Sequence, residues 1–306
     1  MTALAATMTV QPHQALQTDD ARAILTFARD ALAAGRRVAL VTLTGIVDGA
    51  ARALGAHMAV ADDGGYCGYI SGGCVESAVA AEALLAISAG ADRVLRLGKG
   101  SDIFDIRLPC RGGIVLSIHV LRDGAAIGAV LDALAARQPA ALAHDPAGVL
   151  ERHPAPAQTG WQAGRFVTAY RPPLRVHLLG QGIEAQAFVA LAAAAGIEIA
   201  AVTGHKPPAA DGLDAHSAVV LLQHDLDREL PLLRAALASP AFYIGCLGSK
   251  RTHDTRLAAL RAEGWGDAAL RRIRAPVGLF GPARDARSIA VSVLAEILSL
   301  CQPGAG

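Results

Sequence analysis

The chain has 306 residues and a formal net charge of +1, so it is long enough for two domains that each bury a core of their own. Its balanced charge and the lack of a concentrated basic run exclude a general nucleic-acid surface. Charges and glycines interrupt every apolar stretch before the roughly 18 residues that a membrane-spanning helix needs. The first residues lack the basic start and apolar core of a secretory signal, so we expect a cytoplasmic protein.

The cysteines are five in number, and they form no CxxC pair and no Cys/His spacing typical of structural zinc. They are Cys67, Cys74, Cys110, Cys246 and Cys301. An odd number of thiols in a cytoplasmic chain argues against a disulfide framework and against a zinc finger.

The first predicted element is a helix from Thr18 to Gly35, in which Thr18 caps the start and Gly35 ends the last turn. Asp19 and Asp20 suit the positive N-terminal end of this helix. The stretch "RRVALVTLTG" then predicts a buried strand.

A hairpin follows in "HMAVADDGGYCGYI", where two apolar runs flank Asp62-Asp63-Gly64-Gly65. Farther on, "RVLRLG" and "GIVLSIHVL" predict two strands, with the glycine-rich turn "LPCRGG" before the second. The segment from His153 to Pro173 carries prolines at both ends and little periodicity. We therefore expect two domains, residues 1–170 including this boundary linker and residues 171–306.

The C-terminal half alternates strand and helix from Leu174 onwards. Strands are predicted at "LRVHLLG", "IEIAAVT", "SAVVLLQ" and "AFYIGCLG", and helices between and after them. This alternation predicts an α/β fold with a doubly wound, mostly parallel sheet of the Rossmann type.

The turn "LLGQGIEAQA" places Gly180, Gly182 and Ala185 in a G-x-G-x-x-A pattern between a strand and a helix. Such a turn holds a phosphate at the start of the helix or serves architecture alone. The acid that would bind a ribose at the end of the next strand is missing, because Thr203 and Gly204 stand there. A nucleotide and a purely architectural turn both remain open, with NAD the weaker case.

A second glycine turn, "YIGCLGSKRTH", ends a strand at Gly248 and begins a helix near Ser249. Lys250 and Arg251 oppose the helix dipole unless an anion lies between them. The alternative is the solvated basic start of a surface helix.

The stretch "YISGGCVESAVAAEALLAI" sends a third glycine turn into a helix. Ser71, Gly72 and Gly73 are placed to expose consecutive N–H groups to an anion, and Cys74 lies where a helix start favours a thiolate. Glu76 is placed to cap the turn or to handle a proton. The alternative for Cys74 is a small buried apolar side chain.

Two further features carry less information. Cys110 lies in the glycine-flanked turn "LPCRGG", where the same two interpretations apply as for Cys74. His224 and Asp225 follow a predicted strand, but such a pair is as often a helix-capping turn as an acid–base pair, so no catalytic role is assigned.

Three long segments resemble the XdhC/CoxI family, the accessory proteins of xanthine dehydrogenase and related molybdenum hydroxylases. They are "ALGAHMAVADDGGYCGYISGGCVE" from Ala53, "LPCRGGI" from Leu108 and "SPAFYIGCLGSKRTH" from Ser239. The resemblance covers nearly the whole chain. It implies an N-terminal XdhC/CoxI α/β domain followed by a Rossmann-like domain.

The resemblance also implies a function. Proteins of this family bind molybdenum cofactor, protect it while its sulfido ligand is installed, and deliver it to an apo molybdenum hydroxylase, with a cysteine desulfurase as sulfur donor. This makes a cofactor chaperone a better expectation than an enzyme. The form of the cofactor, molybdopterin or its dinucleotide, stays open, as does the target among xanthine dehydrogenase, aldehyde oxidoreductase and carbon monoxide dehydrogenase. A homodimer is a general expectation only.

The family motifs and the glycine turns together select the candidate cofactor-binding residues, with Cys74 and Cys110 as candidate contacts of molybdenum or its sulfur. They are Ser71, Gly72, Gly73, Cys74, Glu76, Cys110, Gly180, Gly182, Gly248, Ser249, Lys250, Arg251 and His253. We expect Lys250 and Arg251 to contact phosphate.

The chain departs from the family pattern at two turns. Ile183 and Glu184 replace residues of the usual G-A-G-H-V-A, and "GLFGPARDARSIA" from Gly278 replaces G-L-D-I-G-A. Glu184 would repel a nearby phosphate. Two rival functions therefore remain, an NAD(P)-dependent oxidoreductase and a cofactor-free scaffold that bridges desulfurase and hydroxylase.

Overall fold

The structure is a computed structural model that describes residues 10–99, 112–145, 148–156, 158–202, 212–281 and 283–301. The chain divides into two compact units, Met1–Arg171 and Pro172–Gly306. No helix among the described residues is long and apolar enough to cross a membrane.

The first unit contains ten strands and three helices among its described residues. In chain order they are β1 His13–Leu16, α1 Ala21–Ala33, β2 Val38–Val47, β3 His57–Ala61, β4 Gly65–Gly68, α2 Glu76–Ala89, β5 Arg93–Gly98, β6 Gly113–Val120, α3 Ala125–Ala135, β7 Ala140–His144, β8 Leu150–His153, β9 Gly160–Gln162 and β10 Arg165–Tyr170.

A six-stranded sheet in the order β1-β4-β3-β2-β6-β5 forms the centre of this unit. The side chains of β2 alternate between two buried clusters, because successive residues of a strand point to opposite faces. Val41 and Leu43 pack with helix α2 on one face. Val38 and Leu40 pack with helices α1 and α3 on the other. Both faces of the sheet are therefore covered.

The predicted hairpin is confirmed: β3 and β4 pair antiparallel, and the Gly64 N–H donates to the Ala61 carbonyl oxygen across the turn at 3.0 Å. The predicted start of helix α1 is wrong by two residues. Asp20 is the N-cap and accepts from the Arg22 N–H, whereas Thr18 Oγ1 accepts from the Asp20 N–H. A carboxylate two residues nearer the helix displaces the threonine from the capping position.

A second, four-stranded antiparallel sheet has the order β8-β7-β10-β9. Its strands β9 and β10 lie in the segment from His153 to Pro173, which the sequence presents as an irregular linker. Trp161 of β9 donates its indole N–H to the Thr44 carbonyl oxygen of β2 at 3.0 Å. This segment is therefore built into the first unit by pairing with β7 and by contact with the larger sheet.

The second unit alternates strands and helices, and the sequence predicts all but its last three elements. Its elements are β11 Arg175–Leu179, α4 Ile183–Ala194, β12 Glu198–Ala201, β13 Ser217–Leu221, α5 Leu226–Leu237, β14 Tyr243–Cys246, α6 Lys250–Ala262, α7 Asp267–Leu270, β15 Ile273–Arg274 and α8 Ala286–Cys301.

The strands form one parallel sheet in the order β12-β11-β13-β14-β15, covered by helices on both faces. Val219 and Leu221 pack with residues of α5, α6 and α7 on one face. Val220 packs with residues of α4 and α8 on the other. The predicted doubly wound fold is confirmed. The order of its strands reverses between β11 and β13, and ligands of such sheets bind outside the carboxyl ends of the strands at that point.

Candidate functional site

The loop before helix α2 is shaped by the Glu76 side chain, which is buried at 2% exposure. Its carboxylate accepts from the Ser71 N–H at 2.9 Å, from the Ser71 hydroxyl at 2.9 Å and from the Val75 N–H at 3.1 Å. A charged acceptor with this many donors makes strong hydrogen bonds. Of the two predicted roles, Glu76 therefore takes that of fixing the turn.

The same contacts occupy part of the predicted anion-binding backbone. The Ser71 N–H donates to Glu76, and the Gly73 N–H donates to the Ser71 hydroxyl at 3.3 Å. Three consecutive free N–H groups are therefore not formed at Ser71, Gly72 and Gly73. Gly73 has φ +100°, a left-handed conformation that a side chain would strain.

Cys74 lies exposed on this loop, and its Sγ is 3.8 Å from the Ser71 hydroxyl. The alternative of a small buried side chain is therefore wrong for Cys74. Cys67 and Cys246 are buried instead, and burial raises the pKa of each of these thiols to about 12. Both stay protonated at neutral pH and are unreactive there. Cys110 lies outside the described residues.

Arg52, which the sequence did not single out, supports the loop from outside. Its Nε donates to the Ser71 carbonyl oxygen at 3.3 Å, and its Nη1 pairs with Asp19 at 2.7 Å. Its guanidinium carbon lies 5.6 Å from the centre of the Tyr69 ring. No local motif marks Arg52, because the contact joins segments 19 residues apart.

Arg52 and Tyr69 also line a cavity of about 210 Å³ whose inner wall includes His57 and Tyr170. His57 hydrogen-bonds the Thr42 hydroxyl at 3.0 Å and the Tyr170 hydroxyl at 2.5 Å. Burial lowers the pKa of His57 to about 4 and raises the pKa of Tyr170. The His57 and Tyr170 side chains are therefore polar but uncharged at neutral pH, while Arg52 brings a positive charge to the same cavity.

The second unit has a larger cleft, of about 640 Å³, beyond the carboxyl ends of β13 and β14. Its lining joins polar and apolar groups, among them Glu184, His224, Gly248, Val277, Phe280 and Arg284. A concave site with a few polar groups at the edge of a doubly wound sheet is the usual place for a small-molecule ligand.

One wall of this cleft is held by helix α8. Glu296 accepts from the Gly278 N–H at 2.7 Å and from the Tyr243 hydroxyl at 2.6 Å. Ser292 accepts from the Phe280 N–H at 2.9 Å and donates to its carbonyl oxygen at 2.6 Å. These bonds fix the backbone, while the Leu279 and Phe280 side chains stay 59% and 51% exposed. The wall offers a rigid backbone and an apolar rim.

The glycine turn between β11 and α4 is filled in part by the chain itself. Gly182 is the N-cap of α4, and Glu184 Oε2 lies 2.9 Å from where a Cβ on Gly182 would be. Among the described residues the Glu184 carboxylate has no hydrogen-bond or ion-pair partner. The N-terminal end of α4 would otherwise attract a phosphate, but the carboxylate places a negative charge there. Glu184 therefore disfavours a pyrophosphate at this turn.

The turn between β14 and α6 keeps its helix start free of acids. Gly248 has φ +132°, and Ser249 caps the helix by accepting from the Thr252 N–H at 3.3 Å. Lys250 and Arg251 are exposed, and neither forms an ion pair within the part of the chain that the structure describes. The first turn of α6 is the more suitable anion site of the two.

The base of this turn is fixed by a buried ion pair. Arg256 is fully buried and donates to both oxygens of Glu229 on α5, at 2.5 and 2.9 Å. Its Nη2 also donates to the Leu247 carbonyl oxygen at 2.6 Å, directly before Gly248. His253 has a buried Nδ1 without a partner among the described residues, and burial is the main reason that its pKa is lowered.

The predicted residues thus fall into separate groups. Ser71, Gly72, Gly73, Cys74 and Glu76 lie together in the first unit. In the second unit, Gly248 lines the cleft, and it is the one predicted cofactor-binding residue among the described residues that does so. Gly180 and Gly182 lie in the β11–α4 turn. The remaining members, Ser249, Lys250, Arg251 and His253, lie at the start of α6.

Comparison with known proteins identifies related sequences across both units. Residues 31–98 match the model of the XdhC and CoxI family, and residues 176–297 match that of the XdhC Rossmann domain. The chain is 48% identical over 291 residues to the molybdenum cofactor insertion chaperone PaoD of Escherichia coli strain K12, across 95% of this chain and 92% of that protein.

A solved structure described as a xanthine dehydrogenase from Bacillus halodurans superposes with a TM-score of 0.68. The match covers 90% of this chain and 95% of that one, at 19% sequence identity, and it supports the fold alone. The two family models and the 48% identical relative show the ancestry of the chain. The protein belongs to the XdhC and CoxI family.

Proposed function

We propose that this protein binds molybdenum cofactor, holds it while its sulfido ligand is installed, and delivers it to an apo molybdenum hydroxylase of the xanthine dehydrogenase type. The name of its Escherichia coli relative, a molybdenum cofactor insertion chaperone, supports the cofactor and the delivery. The observation on this molecule that carries the proposal is the exposed thiol of Cys74 on a loop that Glu76 fixes.

Cys74 is the residue we assign to molybdenum or its sulfur, and Cys110 of the "LPCRGG" turn is the second candidate. A thiolate is a soft donor suited to a sulfur-rich metal centre. Because the Glu76 carboxylate and Arg52 hold the backbone around it, the thiol is presented without the cost of ordering a mobile loop.

The start of α6 is the place we assign to cofactor phosphate. Helix N-termini bind anions through their free N–H groups and the helix dipole, and Lys250 and Arg251 add two positive charges. The adjoining cleft, with Phe280 at its rim, has the size and apolar surface to take a ring system. The helix start and the cleft are compatible with both molybdopterin and its dinucleotide, so they do not distinguish between the two.

The rival oxidoreductase depends on a dinucleotide pyrophosphate at the β11–α4 turn, where the Glu184 carboxylate lies beside Gly182. A pyrophosphate bound at this turn would lie close to the Glu184 carboxylate, and two negative charges that lie close together repel. The geometry therefore argues against NAD(P) at that turn. A cysteine desulfurase as sulfur donor completes the proposed pathway, in which the protein protects the cargo and performs no catalytic step.

The test is the molybdenum and pterin content of tag-free protein purified from a host that makes molybdenum cofactor. We expect about one molybdenum and one pterin per chain in the wild type. In Lys250→Ala/Arg251→Ala we expect pterin content to fall at least about tenfold, since each lost charge-assisted contact with phosphate is worth roughly 1.5–3 kcal/mol. Arg234→Ala, which removes a surface arginine of α5, is the matched control.

The rival functions give different outcomes in the same preparation. Protein that carries no molybdenum or pterin, even after mixing with free cofactor, yet joins a desulfurase to a hydroxylase supports the scaffold. Protein without pterin that binds NADH in a fluorescence titration supports the oxidoreductase. Either result overturns the chaperone.

A further inference from the structure

Three side chains outside the proposed cofactor-binding residues converge in the first unit. Asp92 lies just before β5, His119 is in β6, and His144 ends β7. A ring nitrogen from each histidine and an oxygen of Asp92 all lie within 4.8 Å of one another. These residues come from two different sheets, so only the folded unit brings them together.

The cluster is held by contacts that orient each group. Asp92 Oδ2 lies 2.6 Å from His119 Nδ1 and 3.7 Å from His144 Nε2. Its other oxygen accepts from the Val120 N–H at 2.9 Å, which fixes the plane of the carboxylate. The hydroxyl of Ser117 lies 3.2 Å from His144 Nδ1. Such supporting hydrogen bonds orient side chains that bind metals.

We propose that Asp92, His119 and His144 bind a divalent transition-metal ion of the zinc class. Two imidazoles and one carboxylate are a donor set that zinc accepts, with a fourth position left for water. Zinc–ligand bonds of about 2.0–2.2 Å in tetrahedral geometry put the ligand atoms roughly 3.4 Å apart. The separations of 2.6 and 3.7 Å in the structure lie on either side of that value.

Binding of the ion replaces the hydrogen bond between His119 and Asp92. The metal takes His119 Nδ1, the proton shared between that nitrogen and Asp92 moves to Nε2, and no electron is transferred. A cleft of about 190 Å³, lined by His119, Arg122 and Gly148 among others, adjoins the cluster and admits water as the fourth ligand.

The position of the site indicates a structural role. β6 belongs to the six-stranded sheet and β7 to the four-stranded sheet of the same unit, so an ion bound by His119 and His144 joins the two. An ion that binds only the folded state stabilises it according to its concentration and affinity. At free zinc 100 times the dissociation constant, the midpoint of thermal unfolding should therefore rise by several degrees.

The experiment uses tag-free, chelator-stripped full-length protein, with Zn²⁺ in calorimetry and Co²⁺ in absorption spectroscopy. We expect one ion per chain and a Co²⁺ spectrum without a thiolate charge-transfer band. His144→Gln and Asp92→Asn should each bind zinc at least about 100-fold more weakly. Loss of a residue that only supports a ligand typically costs about 10- to 100-fold in affinity, and these two residues are ligands themselves. His153→Gln, a histidine of β8 outside the cluster, is the matched control.

Two results would overturn the site. One is wild-type protein that binds no zinc, or binds it as tightly in His144→Gln as in the wild type. The other is binding that disappears in Cys74→Ser, because the ion would then be held by the exposed thiol. Circular dichroism of the metal-free variants distinguishes loss of binding from loss of folding. The number of zinc ions bound per wild-type chain tests the site independently of the variants.

Discussion

The Glu76 carboxylate determines the shape of the loop that carries Cys74. It is buried, and it collects backbone and hydroxyl donors from Ser71 and Val75. From the sequence, its place at a helix start allows either capping of the turn or proton transfer, and in the structure its carboxylate bonds the loop that precedes the helix. The exposure of Cys74 is not predictable in the same way, because it depends on which face of the turn the rest of the unit covers.

Glu76→Gln should destabilise the protein by about 1–3 kcal/mol, because an amide NH₂ then faces donors that a carboxylate satisfied. The measurement is urea unfolding, with a lower midpoint and an unchanged slope. Glu82→Gln on the same helix is the control. It loses a surface pair with Arg93, at 2.8 Å, and should cost under about 1 kcal/mol. Equal losses in the two variants would contradict the assigned role of Glu76.

His57 predicts how stability depends on pH. Burial lowers its pKa from 6.5 to about 4, so the unfolded chain binds a proton that the folded chain refuses between these values. Its contribution is complete above pH 6.5 and is lost as pH falls towards 4. For this residue we expect a loss of about 2 kcal/mol between pH 7.5 and pH 5.

The check is urea unfolding of wild type and His57→Gln at both pH values. The fall in stability from pH 7.5 to pH 5 should be smaller by about 2 kcal/mol in the variant, whatever its absolute stability. His153→Gln should keep the wild-type dependence. A variant slope equal to that of the wild type would mean that His57 is not the buried neutral base described here.

At the scale of elements, the sequence pattern predicts those strands and helices whose formation depends on contacts between residues close in sequence. The strands β11 to β14 and the helices α4 to α6 of the second unit follow from alternating apolar runs and glycine turns, whereas α7, β15 and α8 were not predicted. Strands β9 and β10 do not, because β9 pairs with β10, β10 is joined to the sheet by tertiary pairing with β7, and prolines border their segment. The wall at Gly278–Phe280 likewise depends on Ser292 and Glu296 of α8, which are distant in sequence.

The β11–α4 turn gives a prediction at this scale. Replacing Glu184 by Gln removes the negative charge beside Gly182 and should raise the affinity of the turn for pyrophosphate about tenfold. A charge pair about 5 Å apart is worth roughly 3 kcal/mol at an effective dielectric of about 20, and exposure reduces this by about half. The Lys250→Ala/Arg251→Ala background removes the competing site at α6.

Calorimetric titration with pyrophosphate measures the change. Glu198→Gln, which removes an exposed carboxylate of β12 in the same unit, is the control and should leave the affinity unchanged. If Glu184→Gln binds pyrophosphate no better than its background, the carboxylate does not determine what this turn accepts.

At the scale of the whole molecule, each unit contributes a separate part of the proposed function. The first presents a fixed loop with an exposed thiol, and the second presents a cleft beyond the carboxyl ends of β13 and β14 and a basic helix start after β14. Composition and alternation were sufficient to predict the α/β class. The family motifs were needed to select Cys74 among five cysteines, since its sequence neighbourhood alone left a buried role equally open.

The most direct test of the central claim is X-ray absorption at the molybdenum edge of cofactor-loaded protein. If Cys74 binds molybdenum directly, wild type should show one more sulfur neighbour at molybdenum than Cys74→Ser. If Cys74 binds the cofactor's sulfur instead, Cys74→Ser should lose bound molybdenum. Cys301→Ser should match the wild type in both respects. A Cys74→Ser protein with the wild-type sulfur shell and full molybdenum content would contradict the account.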